Sequence, residues 1–184
     1  MPDLTHARRG PQLEASALVQ SLPPATRYIL RGNAAVRAAA QQALTLQLPA
    51  NPCRAVSDGE RAALWLGPDE WLLIAADGAA AILGAALNEA LQGLPHSLVD
   101  VSHRQVAFAL ADAHAISVLA AGCPLDLDPS AFPVGMCTRT VFAKAEIVLW
   151  RYGEDRFRLE VWRSFAAYVS GVIAEAAREL AVAT

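Results

Sequence analysis

Cysteine and charged residues are scarce in this sequence, and their scarcity argues against several classes of protein. Only three of the 184 residues are cysteine, namely Cys53, Cys123 and Cys137. Their odd number does not indicate a disulfide framework, and no two of them have the C-x-x-C spacing of a zinc site. Charged residues make up 18% of the chain and leave a formal net charge of −3. That balance gives no general attraction for nucleic acid or for anionic lipid.

Targeting and membrane-spanning patterns are also missing. The first ten residues, MPDLTHARRG, carry two arginines but no apolar core follows them, which is not the pattern of a secretory signal. The longest apolar stretch, around Ala79 to Leu87, is interrupted by Gly84 and is too short to cross a bilayer. Together with reduced, structural cysteines, these features predict a cytoplasmic protein that binds neither membrane nor nucleic acid.

The common catalytic motifs are absent as well: there is no H-E-x-x-H, G-x-S-x-G, Walker A or G-x-G-x-x-G. The run DVSHRQVAF nevertheless places Asp100, Ser102 and His103 within four residues. On an extended chain neighbouring side chains point to opposite faces, so Asp100 and Ser102 would share one face and His103 would lie on the other. The run by itself therefore predicts no catalytic triad.

A second polar group, Asp126 and Asp128 in LDLDPS, has the composition of a carboxylate pair. No acidic loop of the calcium-binding kind follows it. Leu125 and Leu127 alternate with the two aspartates, which favours a solvated turn beside a short strand. The sequence therefore predicts no metal site.

Apolar residues are plentiful, at 54% of the chain with a mean hydropathy of +0.29. A chain of this length and composition can bury a sizeable core, as one large domain or two small fused halves. Low charge combined with positive hydropathy leaves two interpretations open. Part of the surface is covered by a partner, or the chain is an alanine-rich monomer.

An internal repeat organises the chain. After a polar tail over residues 1–25, signals for a β-α-β-β-α unit occur over residues 26–96 and again over residues 97–184. Such units predict an α+β fold with antiparallel sheets and helices packed on one face. The two halves are expected to pack as one unit.

Two hairpins carry the repeat most clearly. The runs LWLGPDEWLLIA and LWRYGEDRFRLEV have a glycine at the turn, Gly67 and Gly153, and an aromatic residue four positions later, Trp71 and Phe157. The residues predicted to cap the helices of the two halves are Asn33, Asp77, Asp112 and Ser164.

Two stretches have the composition of an interaction surface more than of a catalytic site. GMCTRTVFAK contains Arg139, and EVWRSFAAY contains Trp162, Arg163 and Phe165. Tryptophan and arginine are the residues that most often anchor protein interfaces, so Arg139, Trp162 and Arg163 are predicted to contact a partner. The alternative is an ordinary core strand whose charged side faces water.

The second half resembles a known family over three runs: LVDVSHRQVAFAL, VLAAGCPLDLDPSAFPVGMCTRTVFAKAEIVLWR and FRLEVWRSFAAYV. These runs are similar to the gamma subunit of heterotetrameric sarcosine oxidase. With LGPDEWLLI in the first half, the resemblance covers roughly residues 60–175. The string GCPLDL…F..G.C.RT..AK is its most specific part.

That family is similar in turn to the aminomethyltransferase of the glycine cleavage system and its folate-binding relatives. The resemblance implies that DVSH is a fold signature where the chain turns into its second half. It also implies an acidic pair at the start of AEIVLW, where this chain has Ala145 and Glu146. One carboxylate of the folate site is therefore missing, and a fold retained without its ligand site is expected.

The resemblance implies a non-catalytic subunit of a complex that demethylates sarcosine to glycine, hydrogen peroxide and a one-carbon unit. It places no cofactor in this chain and assigns FAD, FMN, NAD, tetrahydrofolate and zinc to alpha, beta and delta partner subunits, with docking mainly on alpha. Two alternatives remain open. One is a stand-alone folate-binding or aminomethyltransferase-like domain, and the other is an interaction protein that pairs with its own copies.

Overall fold

A computed structural model describes residues 19–183 of the chain. Most of the predicted polar tail, residues 1–18, lies outside the described residues. In chain order the elements are β1 (Val19–Ser21), β2 (Ala25–Gly32), α1 (Ala34–Leu44), β3 (Ala55–Ser57), β4 (Ala62–Gly67), β5 (Glu70–Ala76), α2 (Ala80–Ala90), β6 (His96–Asp100), β7 (Gln105–Ala111), α3 (Ala115–Ala120), β8 (Cys137–Phe142), β9 (Ala145–Gly153), β10 (Arg156–Trp162), a 3₁₀ turn (Arg163–Phe165) and α4 (Ala166–Ala183).

The described residues divide into two compact units. The N-terminal unit is Pro24–His103, and the C-terminal unit combines residues 19–23 with the chain from Arg104 onwards. Each unit contains a five-stranded sheet whose neighbouring strands are antiparallel. The predicted α+β class with antiparallel sheets is confirmed.

The two sheets have the same strand order. It is β3-β4-β5-β2-β6 in the N-terminal unit and β8-β9-β10-β7-β1 in the C-terminal unit. The two sheets exchange one edge strand relative to chain order. Strand β1 precedes β2 in the sequence but pairs with β7, whereas β6 precedes β7 but pairs with β2. The sequence pattern missed β1, β3 and β6, because short strands carry little periodicity.

Helices cover one face of each sheet, and the alternation of the strands decides which side chains meet them. In the N-terminal unit Leu30 and Trp71 pack with Val36 of α1 and Leu87 of α2. The C-terminal core is larger, and its fully buried side chains include Phe108, Phe157, Leu159, Val169 and Ile173. Trp71 and Phe157, which the repeat aligned, thus occupy equivalent core positions after two-residue hairpin turns.

Only one of the four predicted helix caps forms. Asn33 accepts hydrogen bonds from the backbone N–H groups of Ala35 and Val36, at 3.0 and 3.2 Å, and is confirmed as the cap of α1. The predictions for the other three are wrong, because each residue lies before or inside a turn that delays its helix. These residues are Asp77, which binds Gly78 N–H, Asp112, which binds His114 N–H, and Ser164, which lies within the 3₁₀ turn.

Candidate partner interface

The DVSH run forms the turn that follows β6 and fastens it to β2. Ser102 donates its backbone N–H to Asp100 Oδ1 at 2.8 Å, and its Oγ accepts the backbone N–H of Arg27 at 2.9 Å. The backbone N–H of Val101 in turn bonds to the Arg27 carbonyl at 2.9 Å. His103 is exposed beyond this turn. Asp100 and Ser102 therefore serve the backbone, which confirms DVSH as a structural signature.

The Ser102→Ala substitution should lower the free energy of unfolding by about 1–2 kcal/mol, because it leaves the buried Arg27 N–H without an acceptor. Ser97→Ala is the matched control, since Ser97 is exposed on β6, and it should change stability by less than about 0.5 kcal/mol. Urea denaturation of both variants measures the difference. Equal losses in the two variants would contradict the role given to Ser102.

The LDLDPS segment is a turn held by its own side chains. Asp126 Oδ1 accepts the backbone N–H of Asp128 at 3.0 Å, and Asp128 Oδ1 accepts the N–H of Ser130 at 2.9 Å. A further bond from the Ser130 hydroxyl lowers the pKa of Asp128 below its usual value. Across residues 19–183 no three histidine, cysteine or carboxylate side chains cluster in a way that could hold a metal ion.

An open pocket of about 310 Å³ lies on the N-terminal unit, between α1, α2 and the β4–β5 strands. Most of its lining is alanine, leucine and isoleucine, and Glu60 and Arg61 contribute charged groups. The Arg61 guanidinium is held by Asp58 Oδ2 at 2.9 Å. The pocket thus lacks the set of convergent polar groups that defines a specific ligand site.

All three predicted interface residues belong to the C-terminal unit; Trp162 and Arg163 lie where β10 ends and the 3₁₀ turn begins, and Arg139 lies on β8. Trp162 is the last residue of β10, and Arg163 follows it at the surface. The register pairs Arg139 on β8 with Val148, and Val148 with Glu160 on β10. Because alternate residues of a strand share a face, Arg139 and Trp162 project from the same face, the one turned away from the helices.

The burial pattern of β8 also matches the alternative interpretation. Cys137 and Phe142 are buried at its two ends, whereas Arg139 and Val141 are exposed between them. Strand β8 is therefore an edge strand that is buried at its two ends and exposes Arg139 between them. The contact of Arg139 with a partner stays a prediction.

Sequence reasoning missed Arg104, which lies beside Trp162, and Tyr168, which follows it on α4. The guanidinium of Arg104 lies over the Trp162 ring, 5.2 Å from its centroid. Tyr168 is exposed three residues after Phe165, and the two share a side of the helical segment. The spacing of the aromatic residues in WRSFAAY could have indicated Tyr168. Arg104 could not be found in this way, because it is 58 positions from Trp162 in the sequence.

Ala145, where the resemblance implies a carboxylate of a folate site, lies in the apolar core. Ala145 is fully buried among the residues of the C-terminal core, and Glu146 next to it is exposed. Ala145 supplies no polar atom, and a carboxylate at that place would be taken out of water without a partner. These two residues do not fit an acidic pair that handles folate.

Two solved structures share this arrangement of strands and helices. The aminomethyltransferase T of the glycine cleavage system from Bartonella henselae shares the fold, with a TM-score of 0.62 and 14% identity over 92% of this chain and 47% of that one. A chain of the heterotetrameric sarcosine oxidase from Corynebacterium sp. U-96, solved in complex with pyrrole 2-carboxylate, has a TM-score of 0.83 and 29% identity. That match covers 95% of this chain and 90% of the other.

The family model for the sarcosine oxidase, gamma subunit family matches residues 31–179. The chain belongs to this family. The sarcosine oxidase subunit gamma of Corynebacterium sp. strain P-1 is 38% identical over 65% of this chain and 58% of its own length. The subunit gamma of an Arthrobacter species is 42% identical over 51% of this chain and 45% of its own length. The chain thus spans roughly half the length of the curated relatives it matches.

None of the helices in the described part of the chain is both long enough and apolar enough to span a membrane.

Proposed function

We propose that this chain is a structural subunit of a heterotetrameric sarcosine oxidase, which demethylates sarcosine oxidatively to glycine. Hydrogen peroxide and a one-carbon unit, formaldehyde or methylene-tetrahydrofolate, are the other products. The observation that carries the proposal is the match to a chain of such a heterotetramer over 95% of this chain and 90% of that one. Membership of the gamma subunit family agrees with it.

The structural contacts of the candidate polar residues support a non-catalytic role. The DVSH side chains hold a turn, Asp128 closes another turn, and Ala145 packs in the core. The chemistry then belongs to the partner alpha, beta and delta subunits, with FAD, FMN, NAD, tetrahydrofolate and zinc. This chain docks mainly on alpha and completes the assembly.

Purification of the tagged chain from its native host, followed by a flavin absorption spectrum of the eluate, tests the proposal. The expected eluate is yellow and contains one much larger and one medium-sized flavoprotein chain. A colourless eluate that holds this chain alone contradicts the proposal. Titration of that chain with tetrahydrofolate then examines the stand-alone folate-binding alternative.

The substitution Trp162→Ala should reduce the yield of the assembled complex about tenfold or more, because truncating a tryptophan at an interface removes one of its main anchors. Size-exclusion chromatography of the purified complex measures the loss, and thermal unfolding of the isolated variant checks that it is folded. Unchanged assembly of a folded variant contradicts the placement of Trp162, and with it of Arg139 and Arg163, at the interface.

A further inference from the structure

Strand β6 forms an edge of the N-terminal sheet and is solvated on both of its faces. It pairs with β2 on one side, and none of the described strands pairs with its other side. Four of its five residues are exposed, Val99 by 49%, and only Leu98 is half-buried. A sheet edge of this kind presents unpaired backbone N–H and C=O groups to any strand that can approach it.

The hydrogen bonds to β2 show which backbone groups of β6 point outward. Just beyond β6 the backbone N–H of Val101 bonds to the Arg27 carbonyl at 2.9 Å, and the register continues along β6 without a shift. In an antiparallel pair only every second residue bonds to the partner strand. The backbone groups of His96, Leu98 and Asp100 therefore point away from β2. Within residues 19–183 these groups make no other hydrogen bond.

The other described sheet edges have protective features that β6 lacks. Strands β1 and β3 are three residues long, and β8 exposes Arg139. Short strands and cationic side chains are among the features that keep sheet edges from pairing with other chains. Strand β6 has five residues, contains no lysine, arginine or proline, and shows no bulge against β2. Among these edges it is the one best suited to accept a further strand.

The sequence of β6, HSLVD, is complementary to itself when two copies run antiparallel. If Leu98 lies opposite Leu98 of a second copy, His96 lies opposite Asp100, and Ser97 lies opposite Val99. The three residues whose backbone groups point outward then pair only among themselves. Each such pair exchanges two backbone hydrogen bonds.

The side chains at the two ends of β6 also suit this pairing. His96 Nδ1 lies 2.8 Å from the Leu94 carbonyl oxygen, so Nδ1 carries a proton and Nε2 is left for a partner. Asp100 Oδ1 accepts the backbone N–H of Ser102, and its Oδ2 has no partner within residues 19–183. Because alternate side chains share a face, each imidazole meets a carboxylate beside the paired leucines. A protonated imidazole directly opposite a carboxylate stabilises the pairing of two strands.

We infer that β6 binds the β6 strand of a second copy of this chain, antiparallel and centred on Leu98, so that two N-terminal sheets join across a two-fold axis. A two-fold contact uses the same surface on both copies, which a self-complementary strand provides. The contact uses only residues of the N-terminal unit. This inference goes beyond the proposed function, because it joins two copies of the chain, whether isolated or within assembled complexes.

Disulfide trapping of the full chain tests the register. In the proposed pairing Ser97 of one copy lies opposite Val99 of the other, at a Cα–Cα distance of about 4.5 Å, which a disulfide can span. A mixture of Ser97→Cys and Val99→Cys chains should give a disulfide-linked heterodimer on oxidation, identified by peptide mapping. Either variant alone should give little, because its cysteines are two residues out of register. Wild type, with its own three cysteines, is the control.

Two substitutions of His96 test the complementary charges, and they are matched because both remove the bond to Leu94. His96→Glu places like charges opposite each other at both ends of the pairing, and it should raise the dissociation constant of the dimer about tenfold. His96→Lys keeps opposite charges there and should pair at least as tightly as wild type. Sedimentation velocity over a concentration series measures the dissociation constants, and thermal unfolding checks that both variants are folded.

The outcomes separate this inference from the proposed function. A wild-type chain that is monomeric at every concentration, or a mixture that forms no heterodimer, overturns the inference alone. Equal cross-linking of either variant by itself also overturns it, because the register is then wrong. In the assembled complex, a disulfide from Val99→Cys to a larger subunit overturns it in favour of a strand donated by that subunit. Wild-type chain that purifies without larger subunits contradicts the proposed function, whereas the mixed disulfide would still support the inference.

Discussion

The substitution Arg151→Met is expected to lower the free energy of unfolding by about 3 kcal/mol, because three backbone carbonyls lose their donor, two of them in buried hydrogen bonds. Arg151 is 3% exposed at the end of β9. Its guanidinium donates to the carbonyl of Phe132 at 2.9 Å and to that of Leu127 at 3.4 Å. Its Nε donates to the carbonyl of Glu154 at 3.0 Å.

These bonds tie the long loop before β8 to the turn of the β9–β10 hairpin. The guanidinium also lies over the ring of Phe157, 5.2 Å from its centroid. Methionine keeps the unbranched aliphatic part of the side chain, but it is shorter and donates no hydrogen bond. The variant therefore removes the carbonyl bonds together with the contact between the guanidinium and Phe157.

Arg156→Met is the control, since Arg156 is exposed on the neighbouring strand, and it should change stability by less than about 0.5 kcal/mol. Urea denaturation of both variants gives the comparison. If Arg151→Met is as stable as Arg156→Met, the cost of burying the guanidinium cancels its hydrogen bonds and the assignment fails.

Alanine should have opposite effects at two helical glycines, Gly84 in α2 and Gly171 in α4. A Cβ at Gly84 would lie 2.5 Å from the hydroxyl oxygen of Tyr28. Tyr28 is buried, and its hydroxyl donates to the Ala80 carbonyl at 2.8 Å, so it cannot move aside without losing that bond. Gly84→Ala is therefore expected to cost about 2–3 kcal/mol, despite the better helix propensity of alanine.

At Gly171 nothing lies within 4 Å of an added Cβ, and the residue is exposed. Gly171→Ala should therefore stabilise the chain by about 0.5–1 kcal/mol through helix propensity alone. Thermal unfolding of the two variants shows whether the midpoint falls for one and rises for the other. A rise of similar size in both would mean that α2 does not pack closely on Tyr28.

The sequence by itself determined the features that depend on neighbouring residues. The hairpins at Gly67 and Gly153 formed as predicted, because apolar alternation and turn residues act within a dozen positions. Asn33 capped α1 for the same reason, since its side chain reaches only the next three residues. The DVSH run was predicted to be a structural signature, and it forms a turn in which Asp100 accepts the backbone N–H of Ser102 two residues later.

The surrounding structure decided which residues cap the helices and where the short strands form. The side chains of Asp77, Asp112 and Ser164 are suitable for helix caps. Each of these residues lies instead in a turn that precedes its helix. The polar atoms of such side chains bond to whichever backbone N–H lies nearest.

Only the tertiary structure decided the exchange of β1 and β6 and the surroundings of Arg104, Tyr28 and Arg151. A strand of three to five residues is too short for its pattern to predict the strand with which it pairs. The sheet edge with which it pairs is far away in the sequence. Gly84 was visible in the sequence only as an interruption of an apolar run, and its contact with Tyr28 joins residues 56 positions apart. Local pattern determines the helices and the longer strands, whereas the short strands and the contacts between elements depend on residues that are far apart in the sequence.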